Sequence, residues 1–269
     1  MTKIDPTARI DTGAQLGANV VIGPYCVIGA NAVIGDDCKL VSHVSIAGHS
    51  TIGARTRIAP FVSIGGPPQS VRYRGGPTRV EIGADCDIRE NVSINLGTED
   101  DRGVTSVGDH CFLMAGTHVA HDCAVGNSVT FANNVLLGGH CQIGDGVLFG
   151  GGAAVRQFVR IGEGAMIVGL SGVRADVIPF ALAHGPLADL VGLNVVGLRR
   201  RGVSRAQLQE IRQAYQAIFF GDGTFAQRVD AAEKTYVNDP MIAKILEFIR
   251  SAKRPLTMAV HRADSGDDS

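Results

Sequence analysis

Residues 21–35 read VIGPYCVIGANAVIG, with an isoleucine at every sixth position and a glycine after each one. The same period covers most of the first 175 residues and keeps 26 apolar positions in register. The register runs from Ile4 to Ile64, resumes from Ile82 to Ile94, and continues after a one-residue shift from Val107 to Val173. A fixed short period marks a solenoid, and a period of six predicts a β-helix built of short strands and turns.

The period also predicts which residues are neighbours in space. Three six-residue units would make one coil of about 18 residues, and coils would stack at the spacing of paired strands, roughly 4.8 Å. Residues 18 apart in sequence should therefore lie one above another. The predicted fold is mainly β, a parallel β-helix followed by a small C-terminal α-helical domain.

The six cysteines fit the register. Each of them follows a periodic aliphatic residue by four positions, where other coils carry small residues. Free cysteine behaves as a small buried hydrophobe, and no CxxC-type cluster is present. We therefore expect buried free thiols rather than disulfides or zinc ligands at Cys26, Cys38, Cys86, Cys111, Cys123 and Cys141.

Two segments interrupt the period. Residues 65–79 contain three arginines and a tyrosine, and residues 97–106 form an acidic stretch. Because Ile82 follows Ile64 by 18 positions, we expect a loop that replaces two strands at 65–79. Insertions in solenoids lie on the surface and often carry the binding site, which we expect of the 65–79 loop.

The sequence predicts a division near residue 186. Residues 1–186 would form the β-helix, residues 187–264 a linker and helical domain, and residues 265–269 a disordered tail. We expect the linker, residues 187–203, to be irregular. Capping patterns at Ser204, Thr224 and Asp239 then predict the starts of three helices.

Composition restricts the classes of function. Net charge is −1, which argues against nucleic acid as a partner. No leader segment and no apolar run long enough to span a bilayer is present, so we expect a cytoplasmic protein without stable membrane insertion. A mean hydropathy of +0.15 favours burial of repeat faces against other subunits.

The richest chemical segment is GTHVAHDC at residues 116–123. The 18-residue rule places Gly139 above His121 and His140 above Asp122, with Gln157 and Phe158 one coil further. An outward-facing histidine suits a general base, and a glycine N–H suits stabilisation of an oxyanion. His118, His121 and His140 could instead ligate zinc, and spacing alone does not separate the two interpretations.

At these residues the chain resembles the acyl-[acyl-carrier-protein]–UDP-N-acetylglucosamine O-acyltransferases that open lipid A synthesis. The resemblance covers essentially the whole chain. It includes PTRVEIG at 77–83, HVAHDC at 118–123, and GLRRRG at 197–202. The AHDC core combined with the basic run and the helical tail is its most specific part.

The resemblance implies a left-handed β-helix and a homotrimer whose active sites lie in clefts between subunits. His121 would be the general base, Asp122 would orient it, and the Gly139 amide would bind the oxyanion. The partners would be acyl carrier protein and a UDP-sugar, with no metal and no further cofactor. Gly169 would set acyl-chain length and, lacking a side chain, would favour a longer chain. Substrate contacts would come from Ser70, Arg72, His118, His140, Arg156, Gln157, Asn194, Arg200 and Arg201.

The chain departs from the family pattern around the sugar site. This chain has Ser70 where the family usually has aspartate, and Arg72 where it has lysine. It has Arg156 where the best-known members have histidine, and Asn95-Leu96 where they have a His-Arg pair. These departures leave a second acceptor open, a 3-amino analogue of the sugar that would give an amide.

Three further alternatives come from other hexapeptide proteins. The sister N-acyltransferase normally carries an extra N-terminal domain, whereas here the repeat begins at Ile4. A short-chain acetyl-CoA transferase would not explain the helical tail. A zinc enzyme of the γ-carbonic anhydrase type would require three histidine ligands across a subunit interface.

Overall fold

The computed structural model describes residues 1–260, which form 28 strands and four helices. Most strands contain only two residues, because each six-residue unit must also supply a turn. In chain order the strands are β1 Lys3–Ile4, β2 Arg9–Ile10, β3 Gln15–Leu16, β4 Val21–Ile22, β5 Val27–Ile28, β6 Val33–Ile34, β7 Lys39–Leu40, β8 Ser45–Ile46, β9 His49–Ile52, β10 Arg57–Ile58, β11 Ser63–Gly66, β12 Arg79–Ile82, β13 Asp87–Ile88, β14 Ser93–Asn95, β15 Val104–Val107, β16 Phe112–Leu113, β17 His118–Val119, β18 Ala124–Val125, β19 Thr130–Phe131, β20 Leu136–Leu137, β21 Gln142–Ile143, β22 Leu148–Phe149, β23 Ala154–Val155, β24 Arg160–Ile161, β25 Met166–Ile167, β26 Gly172–Val173, β27 Ala181–His184 and β28 Asp189–Leu193.

Three parallel sheets form the faces of a prism. From β1 to β26 consecutive strands belong to different sheets, so each strand pairs with the strand three places further along the chain. Uninterrupted coils pair residues 18 apart, as in Val27 with Ser45 and Leu137 with Val155. The last pair, β27 with β28, is antiparallel and ends the first sheet. The predicted parallel β-helix is confirmed.

The core is the column of periodic aliphatic residues inside the prism. From Ile22 to Val173 every periodic position is buried. Phe131 and Phe149 stack inside it with ring centroids 4.9 Å apart and planes 5° apart. All six cysteines are free and buried, which confirms the small inward-facing position predicted for them.

The prism turns its corners with left-handed backbone, often at residues other than glycine. Asp122, His140 and Phe158 adopt φ of 59°, 64° and 69° on the corner that joins the second sheet to the third. Such values disfavour most L residues, although Asp and His tolerate them better than bulky or branched side chains. Asp122, His140 and Phe158 therefore stand on the corner itself.

The two interruptions are insertions, and the prediction that a loop replaces two strands was wrong. Strand β11 is followed directly by β12, which pairs with β9 so that Ile82 lies beside Ile52. The stacking distance in sequence is therefore 30 residues at this point rather than 18. The second loop is shorter than predicted, because β15 already begins at Val104 and pairs with β12.

The C-terminal part contains helices α1 Val195–Arg200, α2 Arg205–Phe220, α3 Phe225–Thr235 and α4 Pro240–Arg250. Ser204, Thr224 and Asp239 cap the last three, as the sequence predicted. The prediction of an irregular linker at 187–203 was wrong, because β28 and α1 occupy most of it. The predicted tail at 265–269 lies outside the described residues.

After α4 the chain returns to the β-helix. The Asp176 N–H donates to the Pro255 carbonyl at 3.0 Å, and the Thr257 N–H donates to the Asp176 carbonyl at 2.8 Å. A further bridge joins Leu190 and Ala259. This return brings Lys253 and Arg254 beside the corner that carries His140 and Phe158.

Candidate active site

The corner stacks the predicted residues as the 18-residue rule requires. The His140 N–H donates to the His121 carbonyl at 2.9 Å, and the Phe158 N–H donates to the Gly139 carbonyl at 2.9 Å. No insertion falls between these coils, so the sequence spacing holds. His121, Asp122, Gly139, His140 and Phe158 form one continuous site.

His121 and Asp122 form a directed pair. Nδ1 of His121 lies 2.9 Å from Oδ2 of Asp122, and the Asp122 residue is only 1 % exposed. A carboxylate only accepts hydrogen bonds, so Nδ1 carries the hydrogen and donates it. The second ring nitrogen, Nε2, is then left as a proton acceptor, which is the arrangement that a histidine general base needs.

Thr98, on the loop at 97–103 before β15, holds the Asp122 carboxylate in place. The Thr98 N–H lies 3.0 Å from both carboxylate oxygens, and its hydroxyl donates to Oδ2 at 2.6 Å. The Asp122 N–H donates in turn to the Thr105 hydroxyl at 2.9 Å. These contacts satisfy a buried carboxylate that would otherwise be costly to desolvate. Sequence spacing could not reveal Thr98, because the insertion places it 24 residues from Asp122.

Gly139 lies directly against the His121 ring. A Cβ at this position would come within 2.6 Å of Cε1 and 2.7 Å of Nε2 of His121. Among residues 1–260 the Gly139 N–H has no hydrogen-bond acceptor. The residue therefore offers an open N–H beside the basic nitrogen.

His140 is held on three sides. Its Nδ1 lies 2.5 Å from Oδ2 of Asp101, its ring stacks on Phe158 with centroids 4.2 Å apart, and its ring meets His121 edge-on at 4.8 Å. The guanidinium of Arg254 lies over the Phe158 ring at 4.6 Å. Asp101 and Arg254 were not predicted. Asp101 lies in an insertion, and Arg254 lies in the C-terminal segment that returns to the β-helix, so the 18-residue rule applies to neither.

A cleft of about 650 Å³ opens in front of His121 and His140. Ser70 and Arg72 from the 65–79 loop line it, which agrees with the expectation that this loop borders the site. Lys253 and Arg254 line the same cleft, as do Asp100 and Asp101. In the part of the chain that the structure describes, the cleft-lining residues Arg72, Lys253 and Arg254 have no carboxylate partner within 4.0 Å.

Several predicted contact residues lie outside this cleft. Arg156 and Gln157 are exposed beside it. Asn194 caps α1, accepting from the Gly197 N–H at 2.9 Å and donating to the Gly164 carbonyl at 2.9 Å. Arg201 pairs with Glu163 at 3.2 Å, whereas Arg200 is exposed at the end of α1.

His118 stands on strand β17, outside the cleft. Its Nδ1 lies 2.8 Å from the Ser93 hydroxyl. Burial lowers the pKa of His118, and the nearby His121 lowers it further. His118 is therefore held toward its neutral form.

Gly169 and the Asn95-Leu96 pair also lie away from the cleft. Gly169 packs against Gly151, where a Cβ would approach the carbonyl oxygen to 3.1 Å. Asn95 is 9 % exposed with its Oδ1 unpartnered among the described residues, and Leu96 is buried above Gly48. The Asn95-Leu96 pair is thus part of the packed loop base.

Within residues 1–260, one group of residues has donor atoms close enough to hold a metal ion. These atoms belong to His121, Asp122 and His140 and lie within 4.8 Å of one another, whereas His118 is not part of the group. Both oxygens of Asp122 already accept hydrogen bonds from Thr98, and Oδ2 also faces His121. A metal ion would have to displace these bonds, so the geometry favours a hydrogen-bonded His–Asp pair.

Comparisons with known proteins agree with the fold and identify the family. A family model described as UDP N-acetylglucosamine O-acyltransferase, domain 2, matches residues 176–257, and a bacterial transferase hexapeptide model matches residues 1–36 and 105–139. An acyl-[acyl-carrier-protein]–UDP-N-acetylglucosamine O-acyltransferase of Azorhizobium caulinodans is 52% identical over 91% of both chains. One from Sinorhizobium fredii is 41% identical over 98% of both chains.

Solved structures match over nearly the whole length. UDP-N-acetylglucosamine acyltransferase from Campylobacter jejuni superimposes with a TM-score of 0.91 at 36% identity, covering 96% of this chain and 100% of that one. The Arabidopsis enzyme superimposes with a TM-score of 0.84 at 30% identity, covering 95% and 99%. Together with the hexapeptide match, these structures confirm the left-handed parallel β-helix with a small helical C-terminal part.

Proposed function

This chain belongs to the family of acyl-[acyl-carrier-protein]–UDP-N-acetylglucosamine O-acyltransferases, and from that membership we propose how its own residues carry out the reaction. The enzyme transfers a 3-hydroxyacyl chain from a carrier-protein thioester to the 3-hydroxyl of UDP-N-acetylglucosamine, the first step of lipid A synthesis. The 3-amino acceptor is not favoured, because the relatives are named O-acyltransferases.

We assign the general base to His121. Its Nε2 takes the proton of the sugar 3-hydroxyl, and the oxygen attacks the thioester carbonyl carbon. The carbonyl oxygen becomes an oxyanion that accepts a hydrogen bond from the Gly139 N–H. When the intermediate collapses, the C–S bond breaks and the leaving sulfur takes the proton from His121. The observation that carries this assignment is the 2.9 Å contact between His121 Nδ1 and Asp122, which leaves Nε2 as the acceptor.

The cleft suits a charged nucleotide sugar. Arg72 and Arg254 face it without carboxylate partners among residues 1–260, and Ser70 and His140 add polar groups. We propose that Ser70, Arg72 and His140 contact the acceptor from the same subunit as His121. Arginine in place of lysine keeps the charge but offers a planar fork that binds phosphate in a bidentate manner.

The remaining predicted contacts point to a neighbouring subunit. We propose a homotrimer in which His118, Arg156, Gln157, Asn194, Arg200 and Arg201 complete the substrate site across subunit boundaries. Support comes from the exposure of Arg156, Gln157, Arg200 and Arg201 outside the cleft of their own chain, whereas His118 and Asn194 are half-buried there.

A basic surface, defined by Arg199, Arg200, Arg205 and Arg212, lies on α1 and the first half of α2. All four are exposed, and within residues 1–260 none has a carboxylate within 4.0 Å. Acyl carrier protein is acidic, and complementary charge steers such encounters. We propose that the carrier protein docks on this surface.

Acyl-chain length would depend on Gly169. This residue packs on Gly151 and adds no side-chain volume beside the exposed Leu170. We propose that the groove for the acyl chain is therefore longer than it would be with a larger residue at 169, and that it accepts a longer 3-hydroxyacyl chain. Gly169→Met should shift the preference toward shorter donors, because the added side chain would fill that space.

The proposed chemistry uses no metal and no resident cofactor, because the acyl group arrives on the phosphopantetheine of the carrier protein. Within residues 1–260, no helix combines the length and apolarity that crossing a membrane would take. A cytoplasmic location stays a prediction.

The test is an acyl-transfer assay with 3-hydroxyacyl carrier proteins of several lengths, in buffer with and without a strong chelator. The acceptors are UDP-N-acetylglucosamine and its 3-amino analogue, and mass spectrometry identifies the product. We expect an ester on the natural sugar at the same rate in both buffers. Amide as the main product would contradict the acceptor, and activity lost with chelator would contradict the metal-free mechanism.

A further inference from the structure

The acidic loop at 97–103 contributes a second carboxylate to the site. Asp101 reaches Nδ1 of His140 at 2.5 Å, although the two residues are 39 apart in sequence. The side chain of Asp101 is 43% exposed, whereas that of His140 is only 15% exposed. The contact therefore runs from the cleft surface to a nearly buried ring.

The His140 ring is confined by aromatic contacts on its other sides. Phe158 stacks on it with planes 2° apart, and Arg254 covers the far side of Phe158. Its edge contact with His121, at an interplanar angle of 88°, makes the orientation of one ring depend on the other. A rotation of His140 would therefore disturb His121.

Two histidines have access to the same carboxylate oxygen. Oδ2 of Asp122 lies 2.9 Å from Nδ1 of His121 and 3.8 Å from Nδ1 of His140. Asp101 is the nearer acceptor for His140 and holds its N–H away from Asp122. Without Asp101, the nearest carboxylate for His140 would be the one that orients the general base.

We propose that Asp101 is a positioning residue: by binding His140 it prevents His140 from competing with His121 for Asp122. The proposal rests on His121 acting as the general base. It predicts that Asp101 influences the reaction rate only through His140 and makes no contribution of its own to substrate binding.

A double-mutant cycle tests this directly. Asp101→Ala and Asp101→Asn are made in the wild-type chain and in His140→Phe, which preserves an aromatic ring on Phe158. Asp222→Ala, an exposed aspartate in the turn after α2, is the charge-matched control. Transfer kinetics give kcat and KM for each variant.

We expect Asp101→Ala to lower kcat about tenfold, because a misoriented base loses part of its 10²–10⁴-fold contribution. Any rise in KM for the sugar, through the loosened His140, should be smaller than this fall in kcat. Asp101→Asn should recover most of the loss, since its amide oxygen accepts the same hydrogen bond. In the His140→Phe background Asp101→Ala should change nothing further.

Spectroscopy gives a second measure that does not depend on residual activity. In protein labelled with ¹⁵N-histidine, the Nδ1–H signal of His140 should be present in the wild type and shift in Asp101→Ala. An unchanged signal would overturn the proposal.

Three kinetic outcomes would also overturn it: wild-type kcat in Asp101→Ala, an equal loss in both backgrounds, or a rise in KM alone. If His121→Ala keeps its activity, the assignment of the base fails whatever Asp101 does. If His121 is essential and Asp101→Ala is unaffected, only the positioning proposal fails.

Discussion

The His121 ring packs against Gly139, and this contact limits the size of the side chain that position 139 can carry. The neighbouring atoms belong to the His121 side chain, which is able to move, rather than to backbone. Substitution at 139 should therefore disturb the chemistry more than the fold.

Gly139→Ala should lower kcat about 100-fold, because the added methyl pushes His121 away from its position. The free energy of unfolding should change by less than about 1 kcal/mol. Transfer kinetics and denaturant unfolding measure the two quantities. Activity close to wild type would show that catalysis does not depend on the present position of the His121 ring.

His118 links stability to pH. Its pKa in the folded protein is lowered below the ordinary value of 6.5, chiefly by burial. At a pH between the lowered pKa of the folded protein and the ordinary pKa of 6.5, the unfolded chain binds more protons than the folded chain. The stability contributed by neutral His118 is therefore present above pH 6.5 and is lost as the pH falls.

Unfolding of the wild type and His118→Gln at several pH values between about 5 and 8 tests this linkage. The free energy of unfolding of the wild type should fall more steeply on acidification than that of the variant. Parallel curves would mean that His118 titrates normally in the folded chain.

The stacking of successive coils made some residues of the site predictable from the sequence. Gly139, His140 and Phe158 follow from the 18-residue rule because no insertion separates their coils. Thr98, Asp101 and Arg254 did not follow, since the loops and the returning C-terminal segment break that spacing. The pairing of a residue with an insertion depends on loop conformation, which a periodic pattern does not encode.

Among the elements, α1 and α2 present positive charge on one surface. Within residues 1–260, Arg199, Arg205 and Arg212 have no carboxylate partner, and they border a common shallow depression. This concentration of charge contrasts with the net charge of −1 for the whole chain. An acidic protein partner is the expected occupant.

Reversal of charge at Arg205 and Arg212, to glutamate, should raise KM for acyl carrier protein roughly tenfold and weaken its salt dependence. KM for UDP-N-acetylglucosamine should stay the same. Lys3→Glu combined with Lys39→Glu, at two exposed lysines on strands β1 and β7, is the charge-matched control. Equal effects of the double variant and the control would contradict docking on this surface.

The strands were predictable because the same six-residue pattern, a short strand with a buried apolar residue and then a turn, recurs many times. Strand β28 and helix α1 were not, since six or fewer residues provide too little periodicity. Their placement depends on contacts with the end of the β-helix, such as the Asn194 side chain donating to the Gly164 carbonyl.

At the scale of the whole molecule, the proposed substrate contacts outside the cleft depend on the proposed homotrimer. A homotrimer would bring His118, Arg156 and Arg200 to sites on adjacent chains. Light scattering should give a mass of roughly three chains of 28.2 kDa each. A fully active monomer would contradict a site shared between subunits.

The central claim is that His121, paired with Asp122, removes the proton from the sugar hydroxyl. The most direct measurement is the transfer rate of His121→Gln beside His49→Gln, an exposed histidine on β9. We predict that His121→Gln lowers kcat by about 10²–10⁴-fold, while His49→Gln matches the wild type. Equal rates for the wild type and His121→Gln would contradict the account.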